Sequence, residues 1–132
     1  GVAYPGLRFV FAHAGGPDCL RLATAVRSCR NVMLDLSYTL VRFAGSSVDA
    51  DLRHLLNTFD RRLLFGSDFP EVRIADAVNQ MRSHLAVVKP TADHRVSGAN
   101  LSEFLSPSHA AASRHGCERT ISRSARTRQS SC

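Results

Sequence analysis

Several things are scarce in these 132 residues: there is no tryptophan, only two tyrosines, a single lysine and four cysteines. Cys19, Cys29, Cys117 and Cys132 form no CxxC or CxxH pair. That spacing excludes a zinc ribbon, and four cysteines are too sparse for a disulfide scaffold, so a reducing cytoplasm is the expected compartment. No run approaches the roughly 18 consecutive apolar residues of a membrane span. No signal or transit peptide pattern opens the chain, which starts on Gly1 and not Met, so further sequence is expected upstream.

Charge is also scarcer than the formal net of +6 suggests. Residues 106–132 carry five Arg against Glu118 and contribute +4 of it, leaving only +2 for residues 1–105. The same 27 residues hold seven Ser and no Phe, Tyr or Trp. A basic segment can advertise nucleic acid, but without aromatic rings to stack on bases that partner is disfavoured. The composition is that of a disordered tail. His109, His115 and Cys117 lack zinc-ligand spacing.

What remains is a foldable stretch over residues 1–105. Arg8-Phe9-Val10-Phe11-Ala12-His13 is a short apolar run of the kind buried on both faces of a parallel sheet. Gly15-Gly16-Pro17-Asp18 follows as a turn with Pro17 opening a helix, and Cys19, Leu22, Ala23 and Val26 fall on one helical face. The unit then repeats. Val32 to Leu36 reads as a second strand, Ser46 with Asp49 as a capping box, and Leu52, Leu55, Leu56 and Phe59 as the next stripe. Arg62 to Gly66 reads as a third strand, followed by a helix with Ile74, Ala77, Val78, Met81 and Leu85 on its buried face. Lys89 to Gly98 reads as a loop, and Asn100 to Leu105 as one or two helical turns.

Strand and amphipathic helix in alternation predict an α/β fold with a parallel sheet. The strand ends His13, Ser37 and Asp68 are 24 and 31 residues apart, close to the ~31-residue unit of a (β/α)8 barrel of about 250 residues. Three units fit; eight do not. So small a sheet would leave its first and third strands with exposed edges, which a homo-oligomer could cover.

Functional side chains in parallel α/β folds sit at the carboxyl ends of strands. His13, Asp35, Ser37 and Asp68 occupy those ends. Imidazole and carboxylate together suit a divalent metal, and a carboxylate beside water can take its proton. Each has a plainer reading. His13 could be a hydrogen-bonded structural residue, Asp68 could cap the next helix, and Asp35 could pair with an Arg or a backbone amide. Gly15 and Gly16 could form an anion-binding nest or simply a helix entry.

Tyr4 to Gly16 (YPGLRFVFAHAGG) resembles the sixth-strand signature of the amidohydrolase-2 family, metal-dependent TIM-barrel hydrolases and decarboxylases. Asn31 to Ser37 (NVMLDLS) resembles its seventh strand and Arg62 to Pro70 (RLLFGSDFP) its eighth. Gly98-Ala99-Asn100 through Leu105 is similar to its closing helix. The resemblance covers residues 3–105 and implies that the chain is the last three βα units of a barrel, with a small-molecule substrate. It implies Asp68 as a metal ligand that also handles the proton of the attacking water. It likewise implies His13 as a residue that binds metal or polarises substrate and water. Gly15, Gly16, Ser67 and Pro70 match positions that shape the substrate-binding loops, while Asp35 carries only a structural role. The implied cofactor of the complete enzyme is a divalent ion, zinc or manganese, and the implied reaction is attack of an activated water on a lactone or amide carbonyl, with decarboxylation (a lyase reaction) as the alternative. The family's first-strand HxH pair and fifth-strand ligand have no counterpart here. His54, His84 and His94 fall at the wrong ends of their units to replace them, so this chain alone is expected to be inactive.

Overall fold

The computed structural model describes residues 7–106. The reading of 106–132 as a tail falls outside these from Pro107 onward, as does the start of the first motif, Tyr4-Pro5-Gly6.

Three short strands, β1 (Phe9–Phe11), β2 (Val32–Asp35) and β3 (Leu63–Leu64), pair in parallel in the order β1-β2-β3. Register places Phe9, Phe11, Val32, Leu34 and Leu63 on one face and Val10, Met33, Asp35 and Leu64 on the other. The first face carries the main core: Val32, Leu34 and Leu63 pack with Ala23 of α1 (Cys19–Ala25) and with Leu52, Leu55 and Leu56 of α3 (Ser47–Thr58). The opposite face is covered by α6 (Asn100–Leu105), whose Phe104 packs on Met33 and Leu64. The chain is therefore mixed α/β with a small parallel sheet, in agreement with the alternating pattern of the sequence.

Four expectations change in detail. β1 is not buried on both faces: Val10 is 50% and Phe11 43% exposed, because β1 is the edge of the sheet among the described residues. The β3 edge, expected to be open, is met where Phe65 N–H donates to the Val96 carbonyl at 3.1 Å. That contact exists because residues 89–98 are not a loop. They form α5 (Thr91–His94) and a π-helical turn, Arg95–Ala99, burying Ala92 and Val96, the latter within the main core. Finally, α4 (Ile74–Leu85) turns Ala77, Met81 and His84 inward and leaves Ile74 exposed. His84, one residue before the expected stripe position Leu85, is buried on that face beside Ala77 and Met81.

Polar clamps close the amino-terminal end of the sheet. Arg62, expected to open the third strand, lies instead in a 3-10 turn (Asp60–Arg62), where its guanidinium can fork. It donates to the carbonyls of Val32 (2.6 Å), Val26 (3.2 Å) and Cys29. Asn100 donates to the Asp60 and Leu63 carbonyls at 2.6 and 2.8 Å. Asp60 pairs with Lys89 at 2.7 Å and Arg95 at 3.3 Å. The Ser46 hydroxyl caps α3 by accepting from Val48 N–H. The reciprocal arm of the expected capping box is missing, since Asp49 turns inward to Arg53 and His84.

Candidate functional site

The candidate residues occupy the carboxyl ends of the three strands, where the backbone is unusual. Among the described residues, four non-glycine residues have positive φ: His13 (60°), Ala14 (49°), Tyr38 (60°) and Asp68 (67°). Such conformations cost about 1–3 kcal/mol each and gather at functional sites. Here each lies within a few residues beyond β1, β2 or β3.

His13 opens the left-handed stretch that runs through Gly15 and Gly16 and turns the chain from β1 into α1. A side chain at Gly15 would be strained at φ +83° and would press on Leu22 at 3.2 Å. The two glycines thus sit in the helix entry. The Thr39 hydroxyl donates to the His13 carbonyl at 2.5 Å, pinning the backbone to α2 (Thr39–Arg42). His13 Nδ1 lies 3.2 Å from the Ser37 carbonyl and 3.4 Å from its hydroxyl. Ser37 in turn donates its hydroxyl proton to Asp35 Oδ2 at 2.5 Å, and its amide to Asp35 Oδ1 at 3.1 Å. Asp35 therefore pairs with a backbone amide and a hydroxyl, not with an Arg. Ring contact with Tyr38, 5.4 Å between centroids, limits rotation of the His13 imidazole.

Asp68 stands at the end of β3. It does not cap the following helix: α4 begins at Ile74, with Arg73 at its N-cap position. Only the Asp68 backbone is used locally, its carbonyl accepting from Val72 N–H. Its carboxylate has no hydrogen bond or ion pair within the described residues and is left at the strand end. The Ser67 hydroxyl accepts from Phe69 N–H at 3.2 Å and Pro70 follows a cis peptide, so both belong to the bend that carries Asp68.

The structure joins His13, Ser37 and Asp35 in one hydrogen-bonded unit, to which Asp68 makes no hydrogen bond among the described residues. Sequence reasoning missed the part of Ser37. The only available signal was its spacing: two residues beyond Asp35, just past a strand end, is where a hydroxyl can turn back onto the carboxylate.

The model of the amidohydrolase family matches residues 2–79, more than half of the chain and including all three strands. The chain belongs to the amidohydrolase-2 family. No curated protein and no solved structure matches it. The match stops before the closing-helix motif at residues 98–105, whose Asn100 the structure shows clamping the base of β3.

Amidohydrolases of this type generally bind divalent metals. Among the described residues, no three of His, Cys, Asp and Glu come together around one point. A catalytic zinc takes three protein ligands and keeps a fourth position open. His13 and Asp68 are two, in separate local arrangements, so the described residues do not by themselves fit a metal centre.

Proposed function

We propose that this amidohydrolase chain is one part of a hydrolase active site, the part built on the last three βα units of a (β/α)8 barrel. The observation that carries this reading is the gathering of backbone strain and uncommitted polar groups at the carboxyl ends of three parallel strands. In a barrel, that face is the one where catalytic residues project, and His13 and Asp68 are the groups there with capacity to spare. Their chemistry suits attack of water on a carbonyl, as in a lactone or amide, of a small-molecule substrate.

The chain's own contribution can be stated residue by residue. His13 is held by Ser37 through Nδ1, which leaves Nε2 to accept a proton from water or to orient it. Asp68 offers an ionisable carboxylate with no competing partner within the described residues. The left-handed turn at Gly15 and Gly16 keeps backbone close to where substrate would sit, and the Ser67–Pro70 bend sets the position of Asp68. With two candidate ligands where three are needed, the chain alone is expected to lack turnover.

A graft tests this. Residues 7–105 replace the last three βα units of an intact amidohydrolase-2 enzyme, and hydrolysis of a lactone and amide panel is measured with zinc or manganese supplied. The expected result is turnover by the graft, abolished by His13→Ala or Asp68→Ala, and none by the 132-residue chain alone. A folded graft with no turnover, or one indifferent to both substitutions, overturns the reading.

A further inference from the structure

We propose that Asp35 and Ser37 are positioning residues that hold the proton of neutral His13 on Nδ1 and so present Nε2 as a bare lone pair at the strand ends. The argument is an inventory of donors. Two atoms face His13 Nδ1: the Ser37 carbonyl at 3.2 Å and the Ser37 hydroxyl oxygen at 3.4 Å. A carbonyl only accepts. A serine hydroxyl has one proton, and this one points to Asp35 Oδ2 across 2.5 Å, the length of a charge-assisted O–H···O⁻ bond. The hydroxyl oxygen therefore also faces the imidazole as an acceptor. With two acceptors and, among the described residues, no donor before it, Nδ1 must carry the hydrogen, and the neutral ring keeps its lone pair on Nε2.

The carboxylate that commits the serine proton is itself fixed. Asp35 Oδ1 accepts the Ser37 amide, and Gly66 leaves room for it: a Cβ at Gly66 would lie 2.9 Å from Asp35 Oδ1 and 3.1 Å from Ser37 Cβ. The glycine that follows β3 thus keeps space for a carboxylate on β2, whose grip on Ser37 sets the hydrogen on a histidine beyond β1. An imidazole whose remote nitrogen donates to an oxygen is held in one orientation. Use of Nε2 as a proton acceptor rests on the function proposed above. The tautomer does not.

Selective 15N labelling of histidine in the full 132-residue chain tests the assignment, with metal removed by chelator. Long-range 1H–15N correlation is read at about pH 8.5, two units above the ordinary imidazole value. The His13 signals are identified by their loss in His13→Gln. The expected spectrum has His13 Nδ1 as the protonated nitrogen and Nε2 as the unprotonated one. In Asp35→Asn an amide N–H2 can donate to the Ser37 hydroxyl oxygen and release the serine proton toward Nδ1. There the His13 population is expected to move toward the Nε2–H form while the backbone amide spectrum stays dispersed. Wild-type His13 protonated on Nε2 would overturn the proposal, and this reading needs no variant to fold. An unchanged tautomer in a folded Asp35→Asn protein would remove Asp35 from the arrangement. An inactive graft with Nδ1–H His13 defeats only the proposed function; an active graft with Nε2–H His13 defeats only this inference.

Discussion

His84 Nε2 on α4 lies 3.1 Å from Asp49 Oδ1 on α3, with the imidazole 1% exposed. This pair joins two helices through the interior, and Arg53 holds the other Asp49 oxygen at 2.8 Å. Burial is the largest influence on His84 and pushes its pKa below the ordinary imidazole value, as Arg53 does; Asp49 opposes that shift.

A pH dependence of stability follows from the direction of that shift. Because the folded pKa is depressed, the unfolded chain binds a proton that the folded chain refuses, so stability rises with pH in that window. The contribution is complete above about pH 6.5 and is lost as pH falls from there through the folded value, at up to about 1.4 kcal/mol per pH unit. Denaturant titrations between pH 5 and 8 should show this slope, and His84→Leu should flatten it. An equal slope in His84→Leu would assign it to other groups.

Asn100→Ala should cost about 2–3 kcal/mol, because the buried carbonyls of Asp60 and Leu63 lose their donor. Asn100→Asp keeps the shape but cannot donate when ionised, so its cost should be at least as large. Urea unfolding midpoints measure both.

Arg62 should resist conservative replacement. Its guanidinium reaches three carbonyls around the bases of β2 and α1, a fork that an ammonium cannot reproduce. Arg62→Lys is expected to recover less than half of the roughly 2–3 kcal/mol lost in Arg62→Ala. Full recovery by Lys would reduce the site to simple charge.

Gly66→Ala should destabilise by about 1–3 kcal/mol through overpacking against Asp35 and Ser37. The same change in Asp35→Asn should cost less, since the hydrogen bonds of a neutral amide to Ser37 lack the charge assistance of the carboxylate and yield more readily. Coupling between the two substitutions in a double-mutant cycle is the measurement.

The strands and the helices α1, α3 and α4 were legible because each rests on local periodicity: an unbroken apolar run, then a stripe at i, i+3, i+4, i+7. Residues 91–99 were not. Their helical turns have few apolar positions, and they are held by contacts from far along the chain, such as Phe65 N–H to the Val96 carbonyl. His84 was hidden for a related reason, since its partner Asp49 is 35 residues away in sequence. His13 and Asp68 were visible as polar residues at strand ends. That Asp68 does not cap α4, and that Ser37 links Asp35 to His13, required the backbone to be placed first.

The sequence by itself determined the class of the fold and the family, because motif and period are local properties written in consecutive residues. It also determined which scarce side chains were available for chemistry at the strand ends. The tertiary structure decided how those side chains are committed. Hydrogen-bond partners depend on distances between segments, and only folding makes Ser37 give its proton to Asp35 and, among the described residues, leaves the Asp68 carboxylate without a partner and two candidate ligands short of a metal centre.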